Sequence, residues 1–163
     1  MPKTKPEVTT TSAPAPFKEE DGGVYLLVVD DSPEFEAALR RVQYLAHKNK
    51  GHIALLYVIE EEGYLHWKFI EKRIQSDKRE QAENFLWNVA QRLYEACGER
   101  PAFYIKEGKT RQEVAKIIAQ DETIRALVLG ASSTNANPLI SYFTGKGLNE
   151  LNVPLVVVPD RMY

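Results

Sequence analysis

Apolar residues fall along this chain in five compact runs, with longer stretches between them in which they recur every third or fourth position. The runs are Val24–Val29, His52–Ile59, Ala102–Ile105, Ala126–Leu129 and Leu155–Val158. Short runs rich in β-branched residues, with no polar face, are the pattern of strands buried on both sides, as in a parallel sheet. Between them, Phe35, Ala38, Leu39, Val42, Leu45 and Ala46 repeat at helical spacing and predict a helix over Pro33–Lys48. Ile70, Ile74, Phe85, Leu86, Val89, Leu93 and Tyr94 mark one face of a long second helix ending near Cys97–Gly98. Val114, Ile117 and Ile118 form the stripe of a third, which stops before Asp121–Glu122, and a short helical pattern separates the last two runs. The order βαβαβαβαβ predicts a doubly wound, Rossmann-like α/β domain whose parallel strands are joined by right-handed crossovers.

The junctions refine these boundaries. Asp30-Asp31-Ser32-Pro33 stops the first strand abruptly. Asp31 or Ser32 suits an N-cap, Pro33 the first helical position, and Glu34 lies three residues beyond Asp31 as in a capping box. Asn49-Lys50-Gly51 supplies the stop. Residues 1–23 are rich in Thr, Pro, Lys and Glu and poor in large apolar side chains, so they are expected to form a flexible tail before a domain spanning 24–163. Tyr64, His66 and Trp67 fall in a looser segment, where aromatic residues read as core rather than as a stacking surface.

Composition removes several classes of function. A formal charge of −2 over 163 residues, with both signs interspersed, gives no electrostatic footprint for nucleic acid or an anionic membrane. No apolar run approaches the roughly 18 to 20 residues that span a bilayer. Cys97 is the only cysteine, which excludes an internal disulfide or a cysteine-based zinc cluster and suits a reducing, cytoplasmic setting.

Candidate chemistry gathers at strand ends. Asp30-Asp31 resembles the acidic pair of a response-regulator receiver, but the third strand runs into Lys106-Glu107-Gly108 and the fourth ends at Gly130, without the phosphoacceptor carboxylate. The last strand, ending in Pro159-Asp160, lacks the receiver's lysine. Gly145-Lys146-Gly147 fails as a P-loop at both ends, since Ile140 and Gly147 stand where glycine and Ser or Thr are needed. The loop still offers backbone N–H groups to an anion. His47, His52 and His66 form no set, and no serine lies in a Gly-x-Ser-x-Gly elbow.

Over Val24–Pro159 the chain resembles the universal stress protein family. The resemblance is carried by Val28-Val-Asp-Asp-Ser32, Leu56-Tyr-Val-Ile59, Glu107-Gly108, Leu127-Val-Leu-Gly130 and Val153-Pro-Leu-Val-Val-Val-Pro159. It implies an open parallel five-stranded sheet of order 3-2-1-4-5 with helices on both faces, and a homodimer formed through the last strand. It further implies a cytoplasmic stress-response protein that binds or signals rather than turning over substrate; the alternative class is a slow ATPase. Members of that family that bind ATP, with magnesium, carry an aspartate after strand one, an apolar residue in strand two against the adenine, and a Gly-x-x-Gly-x9-Gly-Ser/Thr loop after strand four. Asp30, Val58 and Gly130 match the first three positions. Ser133 replaces the second glycine and Phe143-Thr144 the final Gly-Ser, unless a one-residue shift lets Thr144 and Gly145 serve. A non-glycine residue forced into the left-handed region costs roughly 1 to 2 kcal/mol. Two misfits would therefore weaken a micromolar site by about 1.5 to 3 decades.

Overall fold

The computed structural model describes residues 22–60, 68–134 and 136–162, without the side chains of 68–75 and 162. Most of the expected tail (1–21), and Tyr64, His66 and Trp67, lie outside that range; so do the side chains of Ile70 and Ile74. The elements run β1 (Val24–Val28), α1 (Glu34–Lys48), β2 (His52–Ile59), α2 (Lys68–Cys97) and β3 (Ala102–Glu107). They continue with α3 (Thr110–Gln120), β4 (Ile124–Ala131), α4 (Pro138–Phe143) and β5 (Leu155–Pro159). All strand pairs are parallel and the sheet order is β3-β2-β1-β4-β5. This is the expected order. It differs from the 2-1-3-4-5 order of receiver domains, which removes that alternative.

Successive residues of each central strand point to opposite faces, and both faces are covered. Tyr25, Leu27, Ile53, Leu55, Ala126 and Val128 pack beneath α1 and α2, against Phe35, Leu39, Val42, Leu86 and Leu93. Leu26, Ala54, Leu56, Leu127 and Leu129 pack beneath α3 and α4, against Val114, Ile117, Ile118 and Phe143. Leu26, Leu27, Leu55 and Leu56 are fully buried, which is why the strands read as unbroken apolar runs. Coverage fails at the β5 edge, where Val157 is 40% exposed.

Several junctions depart from the sequence expectation. The capping box does not form: the residue before α1 is Pro33, and no side chain caps the helix. Asp30 bonds Ser32 instead, accepting from its N–H at 2.9 Å and from its hydroxyl. At the other end α1 stops at Asn49-Lys50-Gly51 as expected, and Lys50, with φ 54°, takes the left-handed position. Gly51 is needed for space, because a Cβ there would lie 2.7 Å from the carbonyl oxygen of Gly23. Strands β3 and β4 outrun their apolar cores because ladder pairing continues through Val58–Lys106, Ile59–Glu107 and Ala131–Pro159. Tyr94 does not join the core of α2: it is 52% exposed and lies under the Arg100 guanidinium.

Candidate functional site

The sheet order reverses between β1 and β4, which are neighbours although they are first and fourth in the chain. The chain leaves β1 for α1 on one face, and leaves β4 for α4 on the other. The loops therefore part and open a crevice at the carboxyl ends of the strands, where open α/β sheets bind ligands.

Asp30 stands at the mouth of this crevice, one residue past Val29, whose N–H donates to Leu56 O at 2.8 Å. Its carboxylate is exposed. One oxygen, Oδ1, closes the turn onto Ser32, and Oδ2 takes no part in it. Val58 lies near the end of β2, half-buried, on the face shared with Val28 and with Leu139 and Ile140 of α4. It provides an apolar wall beside a polar rim.

Gly130 holds the other side. A Cβ on it would lie 2.6 Å from Glu34 O and 2.9 Å from Glu34 C. The glycine is thus required because the first turn of α1 crosses β4 at backbone contact. Its carbonyl oxygen accepts from Asn137 Nδ2 at 2.9 Å, while Asn137 Oδ1 accepts from Leu139 N–H at 3.0 Å. Asn137 therefore caps α4 and ties the far end of the loop back to its start, with Pro138 in the first turn as N-terminal chemistry prefers. Within the loop, Ser132 Oγ bonds the Thr134 hydroxyl at 2.9 Å and accepts from Thr134 N–H at 3.1 Å. Ser133 is exposed, and its Oγ accepts from Arg161 Nη2 at 3.4 Å.

The expected strain is absent. Among the described residues Lys50 alone, of the non-glycines, has a positive φ, so Ser133 incurs no left-handed penalty and the loop has an ordinary backbone there. Thr144 likewise has φ −93° and ψ −4°.

Thr144 and Gly145 are set apart from the β1–β4 mouth by the length of α4 and lie at its C-terminal end. Thr144 N–H and its hydroxyl both donate to Ile140 O, at 3.0 and 2.6 Å. The N–H groups of Gly145 and Gly147 both donate to Tyr142 O, at 3.2 and 2.8 Å. Gly147 makes room for an aromatic ring, since a Cβ there would meet Tyr142 Cε1 at 2.3 Å. That ring packs under the Arg111 guanidinium at 4.9 Å, and its hydroxyl donates to Glu150 at 2.6 Å. The Glu150 hydrogen bond, chiefly, raises the pKa of Tyr142 above the ordinary tyrosine value.

Two further residues at this edge escaped the sequence reading. Glu60, just past β2, reaches α3 and accepts from Thr110 Oγ1 at 2.7 Å and from its N–H at 3.3 Å, supplying from a distant strand the cap that α3 lacks locally. Arg161 arrives from beyond β5. The Asn137-Pro138 pair was a readable helix start; the other two depend on tertiary placement.

The universal stress protein family profile matches residues 25–159. Among solved structures, the universal stress protein UspA from Lactobacillus plantarum superposes with a TM-score of 0.70 at 16% identity, covering 85% of this chain and 98% of that one. The hypothetical protein MJ0577 superposes at 0.67 with 25% identity, covering 84% and 95%. A universal stress protein in complex with cAMP superposes at 0.53 with 12% identity, covering 85% and 97%. No curated protein sequence matches significantly.

Proposed function

We propose that this chain, which belongs to the universal stress protein family, is a cytoplasmic stress-response protein that binds an adenine nucleotide between β1 and β4 and acts through that binding rather than through turnover. The observation that carries the proposal is the convergence at one crevice of an exposed carboxylate, a half-buried apolar wall and a loop tied back on itself. The chemistry of the three fits an adenine nucleotide. Asp30 Oδ2 accepts from ribose hydroxyls, Val58 packs against the adenine, and Gly130 and Ser133 bring the loop to the phosphates, with magnesium screening their charge. Thr144 and Gly145, whose polar groups serve the end of α4, close that helix rather than grip phosphate. The cAMP complex of a structural neighbour supports the ligand class.

Calorimetry with ATP, ADP and AMP in the presence of magnesium tests the reading. Saturable binding is expected, with Asp30→Ala weakening it by roughly tenfold or more, the worth of a hydrogen bond to a charged group. Absence of heat up to millimolar nucleotide overturns it.

The same family reading proposes a homodimer through β5. This strand is an edge, and Val157 stands exposed on it; such an edge is a template for pairing with a second copy. Sedimentation equilibrium is expected to show dimer, with Val157→Lys shifting it toward monomer. A wild-type monomer at every concentration contradicts the proposal.

A further inference from the structure

The end of β5 delivers a cation to the loop that follows β4. Ala131 and Pro159, the last residues of β4 and β5, are register partners, so the chain leaves β5 directly beside the start of that loop. The 3-10 turn Asp160–Met162 packs against α1. Its middle residue, Arg161, reaches back so that Nη2 donates to Ser133 Oγ at 3.4 Å. Both side chains are exposed. A guanidinium carries five N–H donors in a planar fork. Among the described residues Arg161 forms no salt bridge, so there one long bond to a neutral hydroxyl is the guanidinium's hydrogen bond and most of its donors point to no described partner.

Among its described residues the loop brings no cationic side chain of its own to an anion. One of its backbone donors, the Thr134 N–H, is already given to Ser132 Oγ. The exposed side chains at the strand end opposite, Asp30 and Asp31, are acidic. A phosphate chain lying over Ser133 therefore needs a positive partner, and the register of β5 brings one there.

We propose that Arg161 is the phosphate-recognising residue of the crevice. It binds the phosphate chain of the nucleotide from the β5 side through charge-assisted hydrogen bonds, a geometry in which arginine is favoured over lysine. This rests on the nucleotide reading above and deepens it: the site prefers nucleotides to nucleosides because of one side chain outside the β4 loop.

The test compares magnesium–ATP with adenosine by calorimetry on the full chain, for wild type, Arg161→Ala and Arg161→Lys. In Arg161→Ala, ATP affinity is expected to fall by about tenfold or more, as for other hydrogen bonds to charged groups, while adenosine affinity stays where it was. Arg161→Lys, keeping the charge but not the fork, should fall between, and the wild-type preference for ATP should shrink as salt is raised. Equal weakening of ATP and adenosine would mean that Arg161 only shapes the loop, and overturns the proposal. Unchanged ATP affinity in Arg161→Ala, with loss in Asp30→Ala, removes Arg161 and leaves the nucleotide site standing. A wild-type protein that binds no ATP removes both.

Discussion

Two stretches between β4 and β5 carry glycines and hydroxyls, and they use them in opposite ways. From Gly130 to Asn137 the chain is anchored at its two ends, by the Asn137 side chain and the contact with α1, and between them Ser132 and Thr134 bond each other rather than a helix. The exposed Ser133 between those ends faces a cation. From Thr144 to Gly147 the N–H groups of Thr144, Gly145 and Gly147 and the Thr144 hydroxyl all donate to carbonyls of α4, and Gly147 lies under Tyr142. The two stretches look alike as sequence. Where their hydrogen bonds go separates a loop open to a ligand from a helix terminus already satisfied. A buried or committed donor cannot serve an anion without giving up a bond worth about 0.5 to 1.5 kcal/mol.

Breaking the first stretch should have the larger effect. In Gly130→Ala the new methyl meets backbone atoms of Glu34 rather than a flexible side chain, so α1 must move from β4. Overpacking of this kind costs about 1 to 3 kcal/mol, which a denaturant midpoint measures. Nucleotide affinity should fall as well, because the displaced turn is joined to Asp30 by the short Asp31-Ser32-Pro33 link. A variant of unchanged stability would show that the close approach is not needed.

Disturbing the second stretch should leave affinity alone. The phenol of Tyr142 is held protonated by its bond to Glu150. A group whose pKa is raised on folding contributes below its unfolded value, near 10 for tyrosine, and the contribution is lost as pH rises through the folded value. Titration of Tyr142 followed by NMR should therefore lie above the ordinary tyrosine range and move back toward it in Glu150→Gln, with nucleotide affinity the same in both proteins. A change of affinity in Glu150→Gln would tie the second stretch to the ligand and dissolve the distinction.

The sheet was legible because burial on both faces leaves an unambiguous mark: Leu26, Leu27, Leu55 and Leu56 tolerate no polar neighbour. Strand ends were less so. Lys106 and Glu107 belong to β3 through backbone pairing, which does not depend on side-chain polarity. The start of α1 departs from a capping box because Asp30 and Ser32 satisfy each other locally, a competition that residue types alone do not decide. At the candidate site, Asp30 and Gly130 stood out in the sequence, but the reason for Gly130 did not: it is fixed by the passage of α1, not by loop conformation. Ser133 looked like a strained substitute for glycine until the loop proved to have an ordinary backbone there. Arg161 carried no local signal at all, since only the pairing of β5 with β4 places it.

The distinction between the two stretches is tested most directly by backbone amide NMR during a titration with magnesium–ATP. The account predicts saturable shifts at Asp30, Val58, Gly130 and Ser133, with the amides of Thr144, Gly145 and Gly147 unmoved. Saturable shifts centred on Thr144–Gly147, with Asp30 and Ser133 silent, would contradict it.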